Sequence, residues 1–219
     1  MTKRPNYAFI DSQNLNLGVS NDVVTGQGRV LYRGKKLDFK KFHDYLRTKY
    51  NVKKAYLFIG LIPGNNELYT YLQECGYTLI LKDVVTYLDG EKWIAKGNVD
   101  TDIVLYAAAI LANEYDKGIF VSGDGDFTSL YNYLKEKGKL GAILVPNRYR
   151  YSRLLNKFRV QLKFVSDLRT LFLAKKPSHK KATKSGGRNK ALGLLGRGDN
   201  SSVAKRQGPV KTSRHGGKR

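Results

Sequence analysis

The chain has 219 residues, 41% of them hydrophobic, which suffices for one domain of ordinary size with a buried core. Its net charge of +22, from 40 Lys and Arg against 18 Asp and Glu, indicates a polyanionic partner and favours nucleic acid over a membrane surface. The single cysteine excludes a disulfide framework and a cysteine-based zinc site, and no apolar run reaches the roughly 18 residues of a membrane helix, so we expect a cytoplasmic protein.

The positive charge is concentrated at the C-terminus. Residues 175–219 contain fourteen Lys and Arg and one acid, Asp199, so they carry +13 of the net +22. They include no aromatic side chain and are rich in Lys, Arg, Gly and Ser, so they cannot bury enough surface to fold alone. The sequence therefore predicts a folded domain over residues 1–174 and a disordered basic tail over residues 175–219, which should bind polyanions without sequence preference.

Short apolar segments alternate with amphipathic segments along the predicted domain, a pattern typical of βαβ units. The predicted strands are residues 7–10, 52–59, 77–81, 119–121, 141–145 and 161–165. The predicted helices are residues 37–50, 65–75, 99–114 and 127–138, a short helix near 154–158, and a closing helix over 166–172 capped by Ser166. Residues 18–36 are predicted to form a long loop or hairpin, and residues 82–95 a small hairpin. The order predicts an α/β fold with a mainly parallel, doubly wound sheet.

Carboxylates follow two of the predicted strands. Asp124 and Asp126, separated by one glycine, stand at the turn between strand 119–121 and the next helix, and Asp11 follows the first strand. In a doubly wound sheet, ligands bind in the crevice outside the carboxyl ends of the strands. Taken alone, Asp126 and Asp11 are more simply explained as helix N-caps and Asp124 as a turn residue, so a functional site requires that further acids converge there.

A further acid comes from the helix predicted to begin near Val99. At about 100° per residue, Asp100 falls within the apolar arc of this helix, whereas Asp102 points away and is predicted to be solvated. A carboxylate that faces the core is costly unless it is capped, paired or bound to a metal. In so basic a chain, several acids in one crevice are best explained by a divalent cation such as Mg²⁺ or Mn²⁺, which prefers carboxylate and water ligands.

Cations and aromatic rings interleave in the loop after strand 141–145. Its candidate RNA-binding residues are Arg148, Tyr149, Arg150 and Arg153. Cations suit phosphates and rings suit base stacking, although a plain basic surface loop is an equal alternative. A second group of cations lies in the predicted loop 18–36: Arg29, Arg33, Lys35 and Lys36. For that group we favour a solvated surface over phosphate contact.

Three motifs in order resemble the NYN domain family, and most closely its LabA-like branch, which is related to the PIN nucleases. The motifs are Phe9–Leu15 (FIDSQNL), Lys96–Asp100 (KGNVD) and Val121–Phe127 (VSGDGDF). The resemblance covers residues 6 to about 173 and leaves the tail outside it. It implies a PIN-like Rossmannoid fold, a three-layer sandwich with a mainly parallel central sheet.

The resemblance also implies a metal-dependent endoribonuclease that leaves 5′-phosphate and 3′-hydroxyl ends. The family's catalytic and metal-binding acids fall on Asp11, Asp100, Asp124 and Asp126. Its polar residue after the first strand falls on Asn14, which would hold the site or contact phosphate, and Lys96 could neutralise substrate charge. Tyr106 stands where many relatives carry a further acid, which leaves the number of metal ions open.

Two classes of function therefore remain. The first is a metal-dependent ribonuclease acting on single-stranded or structured RNA, and the second is a non-catalytic RNA-binding or RNP-assembly module in which the acids are structural. A phosphatase of the haloacid-dehalogenase type is disfavoured because the first strand is followed by a single Asp. No P-loop or dinucleotide-binding glycine motif follows that strand either. Whether the chain forms a homodimer is left open.

Overall fold

Parallel strands form the centre of the protein, whose computed structural model describes residues 4–89, 92–96 and 98–173, with the side chains of residues 4–84 and 98–173. The strands are β1 (Asn6–Asp11), β2 (Val23–Val24), β3 (Val30–Tyr32), β4 (Val52–Leu61), β5 (Tyr77–Asp83), β6 (Val85–Asp89), β7 (Lys92–Lys96), β8 (Gly118–Val121), β9 (Leu140–Val145) and β10 (Leu162–Phe164). Six of them make one sheet in the order β10-β9-β8-β1-β4-β5, and each neighbouring pair is parallel. The doubly wound α/β fold is confirmed.

This strand order reverses direction between β1 and β8. From β1 the chain first adds β4 and β5 on one side, and later adds β8, β9 and β10 on the other. Loops that leave the carboxyl ends of two such strands diverge, and the crevice between them is the usual ligand site of doubly wound sheets. Two of the predicted acids follow these two strands.

Helices cover both faces of the sheet. They are α1 (Ser12–Ser20), α2 (Phe39–Tyr50), α3 (Asn66–Glu74), α4 (Asp100–Leu105) and α5 (Thr128–Glu136). The first three pack on one face through side chains such as Leu15, Phe42 and Leu72. The last two pack on the other face, where Ile103 and Tyr131 meet the alternate residues of the strands. The predicted three-layer arrangement is confirmed. It explains why the central strands are apolar, because helices cover both of their faces.

Two predicted helices differ from the structure. The helix predicted over residues 99–114 is α-helical only in α4 and continues as a π-helical turn over Tyr106–Ile110, where the N–H of Leu111 donates to the carbonyl of Tyr106, five residues back. The closing helix over 166–172 is wrong, because that segment forms two separate 3₁₀ turns. Ser166 does not cap a helix there, since its Oγ accepts a hydrogen bond from the N–H of Arg148 and its own N–H donates to Pro146.

The two predicted hairpins are present with different starting points. Strands β2 and β3 pair antiparallel, but residues 12–20, which include the start of the predicted loop, are helical. Strands β6 and β7 pair antiparallel as well. In the described part of the chain, no helix combines the length and the apolar composition that crossing a membrane requires.

Gly18 lets α1 lie directly on the loop after β9. A Cβ on Gly18 would lie 2.4 Å from Pro146 Cβ, and the Gly18 carbonyl accepts a hydrogen bond from Asn147 Nδ2 at 2.9 Å. We expect Gly18→Ala to cost a net 1–2 kcal/mol, roughly, because overpacking outweighs the better helix propensity of alanine. Gly26→Ala is the control, since a Cβ on Gly26 would have no neighbouring atom within 4 Å. Thermal unfolding checks this, and equal midpoints for the two variants would contradict it.

Candidate functional site

Asp11 ends β1 and begins α1. Its side chain is only 5% exposed, and its Oδ1 accepts a hydrogen bond from the N–H of Asn14 at 2.9 Å, which caps the helix. Burial raises the pKa of Asp11 to about 7, the charges of Asp100 and Asp124 add to the rise, and the hydrogen bond from Asn14 opposes it. The N-cap role that we weighed as an alternative is real, but a cap does not explain two further acids near a buried carboxylate.

Asp124 and Asp126 lie in the loop between β8 and α5. The N–H of Asp124 donates to Ser122 Oγ at 3.2 Å, and Asp124 Oδ1 accepts from the N–H of Asp126 at 3.0 Å. Helix α5 begins at Thr128, is preceded by Phe127 and has no side-chain cap. Asp124 therefore has the turn role that we weighed for it, whereas Asp126 does not have the N-cap role, because neither acid caps α5.

Asp100 lies in the first turn of α4, where its side chain is half-buried. Burial raises its pKa, and the charges of Asp124 and Asp126 add to the rise. Its neighbour Asp102 was predicted to be solvated, which is wrong. The Asp102 side chain is 20% exposed and pairs with Lys82 Nζ at 3.0 Å, because the end of β5 comes up beside this turn.

The four predicted acids influence one another across the point where the strand order reverses. Asp11 lies near Asp100 and Asp124, and Asp100 lies near Asp124 and Asp126. Within the side chains that are described, none of the four forms an ion pair. The same part of the chain contains no group of three His, Cys, Asp or Glu side chains placed to hold one metal ion together. Among the described side chains, the site is therefore a cluster of acids without an ion-pair partner and not a closed ligand set.

Asn14 joins the two acidic loops. Its Oδ1 accepts a hydrogen bond from the N–H of Gly123 at 2.8 Å, and its own N–H donates to Asp11. The Asn14 side chain thus fixes the loop after β8 against the first turn of α1. The sequence predicted a polar role for Asn14 in holding the site, but it gave no means of identifying Gly123, 109 residues away, as its partner.

Comparison with known proteins bears on the family and the fold. The model of the NYN domain matches residues 7–164, most of the chain. The chain belongs to the NYN domain family. NYN domains form part of the PIN-like nuclease superfamily, which suggests a nuclease and RNA as the general class of substrate. A solved structure of a protein of unknown function from Vibrio parahaemolyticus is similar, with 23% identity, a TM-score of 0.54 and coverage of 79% of this chain and 99% of that one. At this identity the likeness bears on the fold alone. No curated protein matches the chain.

Tyr131 is a residue of this NYN domain that sequence reasoning assigned only to an apolar helix face. It is buried in α5, where burial raises the pKa of its hydroxyl well above the ordinary value and the charges of Asp11, Asp124 and Asp100 add to the rise. Its ring packs on Phe120 at 5.2 Å. A buried phenol therefore lies within the influence of three of the acids. The signal for it in the sequence is the tyrosine seven residues after Asp124.

The basic loop of this NYN domain packs on the acidic loop. The N–H of Ser152 donates to the carbonyl of Gly123 at 2.9 Å, which brings the loop after β9 beside Asp124. Tyr149 is 51% exposed, and Arg150 and Arg153 are exposed as well.

Two other residues that were predicted to contact substrate, Arg148 and Lys96, differ from these exposed residues. Arg148 pairs with Asp167 at 3.4 Å and lies over the ring of Phe164, so part of its charge is already compensated. Lys96 ends β7, and its side chain lies outside the described residues.

Proposed function

We propose that this protein is a metal-dependent endoribonuclease of the LabA-like branch of the NYN family. In this proposal it hydrolyses RNA phosphodiester bonds with Mg²⁺ or Mn²⁺ held by Asp11, Asp100, Asp124 and Asp126, and leaves 5′-phosphate and 3′-hydroxyl ends. The observation that carries the proposal is the cluster of mutually repelling carboxylates, without a cationic partner among the described side chains, in a chain of net charge +22. We also propose that the protein is cytoplasmic and that its substrate is RNA.

The carboxylate oxygens of the acids suit a hard divalent cation. The placement of the acids determines how many of them would bind the same ion. Carboxylate oxygens are the preferred ligands of Mg²⁺ and Mn²⁺. Mg²⁺ usually keeps several waters and is bound through one or two carboxylates together with substrate phosphates. Among the described side chains no three acids are placed to hold one ion together, so in this proposal one or two of the four carboxylates hold each ion, and water and RNA complete its coordination. When bound, such an ion lowers the pKa of a coordinated water and stabilises charge on the scissile phosphate.

The other residues act by position and charge. Asn14 holds Gly123, the residue before Asp124, and so fixes the loop of Asp124 against the first turn of α1. Arg150 and Arg153 are exposed cations on the loop that packs beside Asp124, where they can bind the phosphates that flank the scissile bond. Tyr149, on the same loop, offers an exposed ring for an unpaired base.

The deciding experiment is incubation of purified protein with end-labelled single-stranded RNA in Mn²⁺ or Mg²⁺, with a parallel reaction in EDTA. The nuclease proposal expects cleavage with either ion and none in EDTA. The alternative, a non-catalytic RNA-binding module, is favoured by the exposed cations of the loop and expects binding in all three reactions without cleavage. Cleavage that persists in EDTA would rule out the metal role of the acids.

Asp11→Asn provides a second test that does not depend on catalysis. Asparagine can still accept the hydrogen bond from Asn14, but it removes a buried charge that lies near two other acids. We expect the metal-free variant to melt above the wild type, by about 2–4 °C for each kcal/mol of repulsion and desolvation that is removed. We also expect Mn²⁺ to raise the midpoint of the wild type and to have little effect on the variant. Equal Mn²⁺ shifts in the two proteins would contradict ligation by Asp11.

A further inference from the structure

A second basic surface lies at the far end of α1, away from the acids. The segment 21–36 carries Arg29, Arg33, Lys35 and Lys36 against a single acid, Asp22. It is anchored to α1 by two hydrogen bonds to the carbonyl of Val19, one from the N–H of Lys35 at 2.8 Å and one from the hydroxyl of Tyr32 at 2.9 Å. Its position is therefore fixed by the same helix that Asp11 caps.

Helix α1 connects this surface to the acidic site. Asn14, in its first turn, holds the loop of Asp124, and Gly18, one turn later, packs on the basic loop after β9. At about 1.5 Å of rise per residue, Val19 lies roughly 8 Å along the helix from Asn14. Three features thus follow one another along α1: the acids, the loop that carries Arg150 and the segment that carries Lys35.

We propose that single-stranded RNA leaves the acidic site along α1 and crosses Lys35 and Lys36. The inference rests on the proposed function and extends its substrate path beyond the loop after β9. Lys36 is exposed, and Lys35 is held by the rings of Tyr32 and Phe172, with its Nζ 5.4 and 5.0 Å from their centroids. Neither lysine forms an ion pair with any described side chain, so no described carboxylate competes with phosphate for either charge.

The described part of the chain ends next to this path. The N–H of Leu173 donates to the carbonyl of Lys36 at 3.0 Å, and Phe172 pairs with Leu37 in an antiparallel bridge. The tail's first cation, Lys175, follows two residues after Leu173. The described part of the chain therefore ends beside Lys36, two residues before the first cation of the tail in the sequence.

Single-stranded RNA is the occupant that the surface favours. The exposed ring of Tyr149 lies on the loop between the acids and Lys35, and it offers a stacking face to an unpaired base. Paired bases in an A-form duplex are stacked on each other and do not present their faces to such a ring. Repulsion by the acids favours a strand whose phosphates pass from the site directly onto cations.

The test measures RNA affinity of the full chain in EDTA over a range of salt. The variant is Lys35→Gln with Lys36→Gln, and the matched control is Lys49→Gln with Lys53→Gln, two exposed lysines at the amino-end edge of the sheet near Asn6. For a strand of roughly 16 nucleotides we expect the variant to lower the salt slope by about 1.4, two contacts at about 0.7 each. We expect no change of the salt slope for the control.

Each outcome separates this path from the nuclease proposal. Unchanged slopes, equal losses in variant and control, or a loss confined to duplex RNA would overturn the path. Cleavage by the wild type in Mn²⁺ without a slope change in the variant would support the nuclease proposal and overturn the path. A slope change without cleavage would support RNA binding at Lys35 and Lys36 and contradict the nuclease proposal. If the double variant melts lower than the wild type, Lys36→Gln alone is used with half the expected change, because the Lys36 side chain makes no described packing contact with Tyr32 or Phe172.

Discussion

Asp124→Asn is expected to reduce Mn²⁺-dependent RNA cleavage by more than about 100-fold, the upper range for loss of a residue that merely supports a metal ligand. Asparagine keeps the size of the side chain and an oxygen that can accept the hydrogen bond from the N–H of Asp126, so the turn after β8 survives. It removes the negative charge that lies near both Asp11 and Asp100, which a metal ion needs and a turn does not.

RNA binding by this variant should survive in EDTA and should tighten. Without metal, the acids repel the phosphates, so one negative charge fewer reduces that repulsion. Cleavage rates in Mn²⁺ and affinities in EDTA are measured for the wild type, Asp124→Asn and Asp116→Asn. Asp116 is the matched control, a half-buried acid near the amino end of β8, where its N–H donates to the carbonyl of Pro5. If Asp124→Asn cleaves RNA in Mn²⁺ as fast as Asp116→Asn does, a metal role for Asp124 is excluded.

If the acids are only structural, the same variants give a different result. There would be no metal-dependent cleavage to lose, and Asp124→Asn would change stability by no more than an exposed turn residue usually does, within about 0.5 kcal/mol. Tight RNA binding without cleavage in either metal would then favour the RNA-binding module, with the exposed cations Arg150 and Arg153 as its contacts.

The fold was predictable because the sheet is parallel and covered on both faces. Such strands must be short apolar runs, and a chain that alternates them with helices has few alternatives to a doubly wound sheet. The same rule located Asp11 and Asp124 at the carboxyl edge without any knowledge of strand order. Helical periodicity put Asp100 and Asp102 on different sides of their helix, but both are half-buried, because the end of β5 lies beside Asp102.

The contacts that hold the site together were not predictable. Asn14 and Gly123 are 109 residues apart, and Lys82 and Asp102 meet only because β5 and α4 end side by side. Tyr131 recurs with the helical period of a core residue. This period does not indicate which charges lie near its hydroxyl. Local signals fix which face a residue takes, whereas its partner depends on the register of distant elements.

Deleting residues 175–219 is expected to weaken RNA binding by a similar factor for every RNA sequence and to flatten its salt dependence. The tail supplies fourteen cations and one acid. At about 0.7 per phosphate contact on a single strand, the slope could fall by as much as about 10 if every cation binds a phosphate. The body should keep its stability, because the hydrogen bond from Leu173 to Lys36 and the packing of Phe172 lie before the deletion.

The control for this deletion is a full-length chain in which the fourteen tail cations are replaced by glutamine. We expect the control to match the deletion in affinity and salt slope, since charge and not chain length supplies the binding. Both proteins should still cleave RNA in Mn²⁺ at saturating RNA, because the four acids all lie within the body. Unfolding of the truncated body would mean that residues 1–174 are not an independent folding unit. An unchanged salt slope would mean that the cations of the body, including those along α1, carry the binding by themselves.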